Sequence, residues 1–322
     1  MSRSWTSWLL RGLAAFGLIV VVALWMLAQP LPETPHPTLT PTITSITLIP
    51  THTPTDMPTA PPTPTSIPTP TPTIAPSPTP ACIKTMGRVE QHAYFSQVAG
   101  GEEIYHIYLP PCYDYDAQTD RHYPVLYLLH GWPYEYAHWG NLGAEEAANV
   151  GIEAGVLPPF IIVMPKGSEV PYIGTSGGDR SFEGQVVNEL IPHVDAAYRT
   201  LAEREGRAIG GISRGGVWAL EIGFLHSGLF ATVGAHSPAL SVNLAPQVYD
   251  PFYLLGEPSV GMLRIYLDAG DADWAREGAQ KLHEALDSQA IAHEYVVHSG
   301  HHASGLWEAN VVEYLAFYAG GW

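Results

Sequence analysis

The stretch RAIGGISRGGVWALEIGFLH, residues 207–226, decides the fold of this chain. Its first six residues are mostly apolar or glycine, as in a buried strand, and the residues after Arg214 place apolar side chains at helical spacing. Between them lies Gly-x-Ser-x-Gly, whose glycines permit a sharp strand-to-helix turn that exposes the Ser213 hydroxyl above the sheet. The pattern predicts Ser213 as a nucleophile, and the alternative is a glycine-rich turn with an ordinary surface serine.

Strand-like and helix-like segments alternate on both sides of this turn. Short continuous apolar runs are typical of strands buried on both faces, and segments with helical spacing lie between them. The alternation predicts an α/β fold with a mainly parallel sheet flanked by helices, in which chemistry collects at the carboxyl ends of the strands. The predicted strands are residues 123–131, 159–165, 207–213, 231–238, 264–270 and 292–298, and the predicted helices are residues 141–155, 182–198, 214–226, 274–288 and 306–318.

The N-terminal region, residues 1–28, is expected to be a membrane anchor or a signal segment. Residues 8–28 form an apolar run interrupted only by Arg11, and the run is long enough to cross a hydrocarbon core of about 30 Å. No small-residue cleavage site precedes Gln29, which favours an uncleaved single-pass anchor over a cleaved signal peptide. With Arg3 and Arg11 on the cytoplasmic side, the rest of the chain is expected outside the cytoplasm, and it would be secreted if cleavage occurred.

The remaining chain divides into a linker and one domain. Residues 29–81 hold more than half of the 30 prolines, with many threonines and little charge, which predicts a disordered, extended spacer that glycosylation could modify. Residues 82–322 have the size of one large α/β domain. The formal net charge of −17 falls mainly on this domain and argues against a nucleic-acid partner, so the only expected membrane contact is the N-terminal segment.

The two cysteines flank a predicted β-hairpin made of residues 88–97 and 103–109. Cys82 precedes the first run and Cys112 follows the second, so antiparallel pairing would bring them together. A disulfide between them suits an exported protein, and it would close a loop of about 30 residues. Two unrelated buried thiols are the alternative.

A serine nucleophile needs a base and an acid, which in this kind of fold follow the serine along the chain. The strand at residues 264–270 leads into three acidic candidates, and the strand at residues 292–298 leads into three histidines. The order Ser, Asp, His is kept, but the residues alone do not choose among the candidates. The candidates are Asp268, Asp271, Asp273, His298, His301 and His302.

The domain resembles the esterase family that includes feruloyl esterases, S-formylglutathione hydrolase and the antigen 85 mycolyltransferases. The motifs that carry the resemblance are LPPCYD, YPVLYLLHG, the ELIP helix, GGISRGG, LDAGDAD and a terminal G-H-H followed by Trp307. Together they span nearly the whole domain. The resemblance implies the α/β-hydrolase fold and cleavage of carboxylic esters through an acyl-enzyme.

The resemblance also implies roles for individual residues. The family's Gly-x-x-Asp pattern selects Asp273, and its histidine five residues before a tryptophan selects His302. His301 stays open as an alternative because it stands where the family has glycine. For the oxyanion, the backbone N–H of Arg214 directly follows the nucleophile, and the resemblance adds the backbone N–H of Trp132.

The aromatic segment PYEYAHW, residues 133–139, follows this oxyanion strand. Its aromatic side chains could stack on a sugar or phenolic group, or simply pack the rim, and Tyr134 and Trp139 are the candidate substrate contacts. His130 is expected to support the oxyanion loop rather than act as the base.

No cofactor is predicted. The histidines form no H-x-x-x-H motif or Cys/His cluster suited to zinc, so no metal site is predicted, and no glycine-rich motif for a phosphate or dinucleotide is present. The expected substrate is a small-molecule or carbohydrate ester, with acetyl and feruloyl esters of polysaccharide as candidates. Acyl transfer to a cell-envelope sugar and a non-catalytic binding module are the alternatives. The sequence leaves the acyl group, the alcohol and the oligomeric state open.

Overall fold

The computed structural model describes residue 82 and residues 86–115, 120–174 and 176–322. The predicted anchor and the predicted linker, residues 1–81, lie outside the described residues. Within the part of the chain that the structure describes, no helix has both the length and the apolar character needed to cross a bilayer.

The described strands form one eight-stranded sheet, in the order β1-β2-β4-β3-β5-β6-β7-β8. The first two strands are antiparallel to each other, the second is antiparallel to β4, and all remaining neighbours are parallel. The predicted fold class, a mainly parallel sheet, is therefore confirmed. The strands are β1 (Arg88–Ser96), β2 (Gly101–Leu109), β3 (Val125–Leu129), β4 (Ile161–Pro165), β5 (Arg207–Ile212), β6 (Thr232–His236), β7 (Arg264–Gly270) and β8 (Glu294–His298).

Helices cover both faces of this sheet. Two short 3-10 turns, Arg204–Gly206 and Pro258–Met262, precede β5 and β7. The helices of the described residues are α1 (His138–Asn141), α2 (Ala144–Glu153), α3 (Glu169–Gly174), α4 (Phe182–Gly184), α5 (Ile191–Ala197), α6 (Arg214–Leu225), α7 (Pro251–Leu254), α8 (Arg276–Ser288) and α9 (Ser304–Ala319).

The central strands read as continuous apolar runs because each of their two faces contacts a separate core. Every residue of β3 is buried. Val125 and Tyr127 pack into one apolar cluster, whereas Leu126 and Leu128 pack into the other. This alternation follows from the two-residue period of a strand, and it fixes which side chains contact the helices on each face.

Two predicted helices differ from the observed ones. The helix expected over residues 141–155 is divided between α1 and α2 by Gly143, which adopts the left-handed conformation at φ 84°. The helix expected over residues 182–198 contains a π-helical stretch, Gln185–Leu190, between α4 and α5. Pro192 follows that stretch and has no N–H to donate, so the regular hydrogen-bond ladder cannot continue through it.

The hairpin of β1 and β2 brings the two cysteines together. Arg88 pairs with Leu109, so the residues before β1 and after β2 lie at the same end of the hairpin. Cys82 and Cys112 are joined by a disulfide, with their Cα atoms 5.9 Å apart. The bond ties the first described residue of the chain to the domain.

Replacement of both Cys82 and Cys112 with serine should lower the free energy of unfolding by about 3 to 4 kcal/mol, because the unfolded chain loses a closed loop. The sequence separation of the two cysteines is 30 residues. Urea denaturation of the wild-type and double-variant chains measures the difference. Wild-type protein in reducing agent should show a similar loss, and an unchanged midpoint in both cases would contradict the expectation.

Candidate active site

Ser213 is held in a strained turn between β5 and α6. Its backbone has φ 56° and ψ −113°, a conformation that is rare for residues other than glycine. The Ser213 N–H donates to the carbonyl of His236 over 2.9 Å, and the Ser213 carbonyl accepts from the N–H of Ala239 over 3.1 Å. These bonds to the end of β6 and the loop after it hold the hydroxyl at the carboxyl edge of the sheet.

Two glycines of the motif are required by close backbone approaches. A Cβ on Gly215 would stand 2.5 Å from the carbonyl oxygens of both Leu129 and His130, so only glycine lets α6 begin against the end of β3. A Cβ on Gly211 would collide with the carbonyl oxygen of Gly215 inside the turn itself. The motif therefore reflects packing of the turn, and not only its dihedral angles.

Ser213, His302 and Asp273 form a continuous hydrogen-bonded series. Ser213 Oγ lies 2.9 Å from His302 Nε2, and His302 Nδ1 lies 2.8 Å from Asp273 Oδ1. A carboxylate only accepts hydrogen bonds, so Nδ1 carries the proton, and Nε2 is left to accept from the serine hydroxyl. The arrangement can move a proton from Ser213 to His302.

The Asp273 carboxylate is kept charged although its side chain is fully buried. Burial alone raises the pKa of Asp273, but hydrogen bonds from His302, Ser237 and the Ala275 backbone N–H outweigh it, and the pKa lies below its usual value. The Ala275 N–H donates to Asp273 Oδ1 over 2.7 Å, and α8 begins at the next residue, Arg276. A charged acceptor at this position fixes the tautomer of His302.

The structure separates the histidines of the terminal doublet. His301 is exposed, and its Nδ1 lies 3.3 Å from the carbonyl of Ala272. His302 is the one whose ring nitrogens contact both Ser213 and Asp273.

The two other acidic candidates have different partners. Asp271 accepts from the Gly300 N–H over 2.9 Å. Asp268 is fully buried and bonds to His236 and Tyr314 over 3.1 Å and 2.6 Å. Both aspartates hold together the loops and strands around the site.

The loop after β3 lies directly against Ser213. A Cβ on Gly131 would stand 3.4 Å from Ser213 Cβ, and the loop turns sharply through a hydrogen bond of 2.8 Å from the Tyr134 N–H to the Gly131 carbonyl. The Gly131 N–H donates to His138 Nδ1 over 3.2 Å. Burial, with a smaller contribution from His130, lowers the pKa of His138 to about 4, so its ring is neutral and able to accept.

His130 supports the same loop from below. Its ring bonds to the carbonyl of Lys166, and its own carbonyl accepts from the Tyr172 hydroxyl. Burial lowers the pKa of His130, against opposing hydrogen bonds to backbone carbonyls, so the imidazole is neutral. Both of its ring nitrogens face backbone carbonyls, those of Gly131 and Lys166, so it is a buried structural residue and not the base for Ser213.

The sequence also matches a known family. The family model "Esterase", described as "Putative esterase", matches residues 96–318, which is more than half of the chain. The chain belongs to this esterase family. The resemblance expected from the motifs is thereby confirmed.

Curated relatives match this chain over part of their own length. An endo-1,4-beta-xylanase/feruloyl esterase of Xylanibacter ruminicola is 28% identical over 219 residues, covering 66% of this chain and 29% of the relative. An esterase of Mycobacterium tuberculosis is 34% identical over 131 residues, covering 39% of this chain and 27% of the relative. The chain thus spans less than a third of the length of these relatives.

Solved structures with low sequence identity share the fold. A ferulic acid esterase superimposes with a TM-score of 0.67 at 23% identity, over 73% of this chain and 98% of that one. An S-formylglutathione hydrolase from Staphylococcus aureus gives a TM-score of 0.62 at 16% identity, over 72% and 99% of the two chains. These matches establish the α/β-hydrolase fold of the chain.

A cleft of about 450 Å³ opens above Ser213. Its walls are mainly apolar, and two of them are tryptophans that are more than half exposed, Trp132 and Trp274. The Trp274 ring lies 4.3 Å from the ring of His302. The lining residues are Trp132, Ile173, Ser213, Arg214, Ala239, Val242, Asn243, Trp274 and His302.

The substrate contact predicted at Trp139 is wrong, and that at Tyr134 lies beside the cleft. Trp139 is 1% exposed, and its indole N–H donates to the Leu129 carbonyl over 3.0 Å, so it belongs to the core beneath β3. Tyr134 is exposed and stacks on His138 at 3.9 Å, outside the lining of the cleft. The prediction rested on how soon Trp139 follows the oxyanion strand in the sequence. It failed because α1 directs the Trp139 side chain into the core.

Sequence reasoning missed the apolar walls that other segments contribute to the cleft. Ile173 comes from α3, Val242 from the loop after β6, and Trp274 from the loop after β7. Large apolar side chains in loops that follow strands were the available signal, since such loops are usually polar at the surface.

A buried carboxyl group lies under the site on α6. Glu221 is fully buried, and neither of its carboxylate oxygens has a hydrogen-bond partner among the residues that the structure describes. Burial raises the pKa of Glu221 to about 8, although the charge of Arg214 opposes the shift. The Arg214 side chain is itself buried over the Trp218 ring, 4.4 Å from its centre, and donates to the Tyr172 carbonyl.

The titration of Glu221 predicts stability that falls as the pH rises. The pKa of Glu221 is about 8 in the folded protein and 4.5 ordinarily, so the folded state binds the proton more tightly than the unfolded state. The resulting contribution to the free energy of unfolding is complete below pH 4.5 and is lost as the pH rises toward 8. At pH 8 the free energy of unfolding of Glu221→Gln should therefore exceed that of wild type by more than about 1 kcal/mol. Near pH 4.5 the two free energies should be equal.

Urea denaturation across this pH range measures the effect. Glu277→Gln on the exposed face of α8 is the control, because salt bridging to Lys281 lowers the pKa of Glu277 and moves its titration out of this range. In the control, the free energy of unfolding should change with pH as it does in wild type. A Glu221→Gln variant with that same pH dependence would contradict the expectation.

Proposed function

We propose that this esterase hydrolyses carboxylic esters, with Ser213 as nucleophile, His302 as general base and Asp273 as the group that orients His302. The observation that carries the proposal is the pair of hydrogen bonds, 2.9 Å and 2.8 Å long, that links the three side chains. Such separations are within reach for proton transfer between nucleophile and base. The same distances argue against the alternative of a non-catalytic binding module.

The proposed cycle uses these groups in turn. Ser213 Oγ attacks the ester carbonyl carbon while its proton passes to His302 Nε2, and Asp273 stabilises the imidazolium. The imidazolium then gives that proton to the departing alcohol oxygen, which leaves an acyl-serine. His302 next takes a proton from water, whose oxygen attacks the acyl carbon, and the proton returns to Ser213 as the acid leaves.

The proposed oxyanion donors are the backbone N–H groups of Arg214 and Trp132. Arg214 is the first residue of α6, where backbone N–H groups point away from the helix and favour negative charge. Trp132 follows Gly131, which lies against Ser213. The bond from Gly131 to His138 and the tight turn at Tyr134 hold this loop before substrate arrives, as preorganised stabilisation of the oxyanion requires.

The cleft supports hydrolysis of an ester with an apolar acyl group. Trp132 is 58% exposed and Trp274 is 51% exposed, so water can reach the acyl-enzyme, whereas transfer to a sugar requires its exclusion. Aromatic walls suit a planar phenolic acid, and one relative is named as a feruloyl esterase. We therefore propose feruloyl or acetyl esters of carbohydrate as the substrate class.

We further propose that the domain works outside the cytoplasm, held to the membrane by residues 1–28 through the spacer of residues 29–81. The apolar run of the anchor and the composition of the spacer support this location. The Cys82–Cys112 disulfide also supports it, because such bonds persist in oxidising compartments.

Ser213→Ala and His302→Ala should each lower kcat/KM for 4-nitrophenyl acetate by about 10⁴-fold or more, because the nucleophile and its base act as one unit. The initial rate of nitrophenol release by purified full-length protein measures this loss. His301→Ala is the matched control and should retain most of the activity. Loss of activity in His301→Ala with retention in His302→Ala would reverse the assignment of the base.

Trp274→Ala should raise KM for 4-nitrophenyl ferulate about 3- to 10-fold more than KM for 4-nitrophenyl acetate, because only the larger acyl group can stack on the lost indole. The two substrates share a leaving group, so their ratio cancels any effect on His302. Trp274→Phe should restore part of the preference. An equal change for both esters would place the acyl group elsewhere.

A further inference from the structure

A cluster of two imidazoles and one carboxylate lies away from Ser213, with the His293 side chain almost fully buried, that of His283 partly exposed and that of Asp287 exposed. It consists of His283, Asp287 and His293, whose potential ligand atoms all lie within 4.8 Å of one another. His283 and Asp287 are four residues apart on α8, so they share one face of the helix, and His283 Nε2 lies 3.6 Å from Asp287 Oδ2. His293 immediately precedes β8 and packs against both.

The ring of His293 is oriented as that of a metal-binding histidine. Its Nδ1 lies 2.8 Å from the carbonyl of Ile291, which can only accept, so Nδ1 carries the proton. The lone pair is therefore on Nε2, which accepts a hydrogen bond from the His283 Nδ1–H over 2.7 Å and lies 4.0 Å from Asp287 Oδ1. A metal ion bound here would replace the proton shared by the two rings. A backbone carbonyl that fixes the far ring nitrogen is the usual outer partner of a histidine ligand.

The turn at the end of α8 positions His293 by its own hydrogen bonds. Ala290 adopts the left-handed conformation at φ 56°. Its N–H donates to the Asp287 carbonyl over 3.0 Å, and the Ile291 N–H donates to the Leu286 carbonyl over 3.0 Å. This pair of bonds is the Schellman arrangement, which folds the chain back along the last turn of the helix. The backbone that brings His293 to Asp287 is thus well defined.

We propose that His283, Asp287 and His293 bind one divalent first-row transition metal ion, of which Zn²⁺ is the representative. Two imidazole nitrogens and one carboxylate oxygen are ligands that such ions accept, with water completing the coordination. Two nitrogens bound to one tetrahedral Zn²⁺ lie about 3.3 Å apart. His283 Nδ1 and His293 Nε2 now lie 2.7 Å apart, so the two rings must separate by about 0.6 Å. The partly exposed His283 ring can make this adjustment, and the exposed carboxylate of Asp287 can rotate toward the ion.

The position of this site indicates a structural role. His293 lies at the amino end of β8, whereas His302 follows its carboxyl end, so the ion binds at the opposite edge of the sheet from Ser213. Asp273 leads into α8 and His302 follows β8. A metal that joins the end of α8 to the start of β8 stabilises the unit that carries both residues, and it takes no part in the chemistry of ester cleavage.

The test uses full-length protein without a polyhistidine tag, freed of metal with EDTA and dialysed. Titration with Co²⁺ should give visible absorption that saturates at one ion per chain, and Zn²⁺ should displace it. Asp287→Asn and His293→Ala should each weaken Zn²⁺ binding at least tenfold, since even outer partners of metal ligands contribute 10- to 100-fold. Zn²⁺ should also raise the Tm of wild type and leave that of Asp287→Asn unchanged.

Three controls make the result decisive. Asp287→Asn alters an exposed side chain, so in EDTA its Tm should equal that of wild type, which separates lost binding from lost folding. His122→Ala removes an exposed histidine elsewhere, and His302→Ala removes one at the candidate active site; both should bind Zn²⁺ as wild type does. No Co²⁺ binding by wild type, or Zn²⁺ binding by Asp287→Asn and His293→Ala within twofold of wild type, would overturn the proposal.

Discussion

The strained, positive-φ backbone of Ser213 is the constraint on which the rest of this structure depends. A residue with a Cβ reaches that conformation only when its surroundings hold it there, and here the His236 carbonyl and the loop at Ala239 supply the bonds. Position 215 must then be glycine, because α6 begins so close to the end of β3 that a Cβ there would collide with backbone carbonyls. Because β5 lies in the middle of the sheet, the loops from its neighbours converge on the exposed hydroxyl.

A buried polar network links this turn to the last strands. The carbonyl of His236 holds Ser213, while the ring of His236 bonds to Asp268 and to the Tyr318 hydroxyl. Tyr314, also on α9, donates to the second oxygen of Asp268. Asp268 thus stabilises the sheet behind the site, whereas Asp273, a few residues further along the chain, orients His302. One buried carboxylate lies in β7 and the other in the loop that follows it, and their different hydrogen-bond partners give them separate tasks.

The two outer surfaces of the α8–β8 unit differ in chemistry. At the carboxyl edge, Trp274 lies beside His302 and forms an apolar wall of the cleft above Ser213. At the amino edge, the partly exposed His283 and the buried His293 place ring nitrogens beside the exposed carboxylate of Asp287. The same helix and strand therefore connect the candidate active site to the candidate metal site without sharing a residue between them.

The sequence by itself determined the alternation of strands and helices, the turn at Ser213 and the hairpin that pairs the cysteines, because these depend on local periodicity and on glycine positions. It gave the chain order of the candidate serine, aspartates and histidines, but the residues alone could not decide between His301 and His302. Only the tertiary structure showed that Trp139 points inward and Trp274 outward, and that His283 and His293 meet. The direction of a side chain in a loop depends on contacts with segments distant in sequence, which no local pattern records.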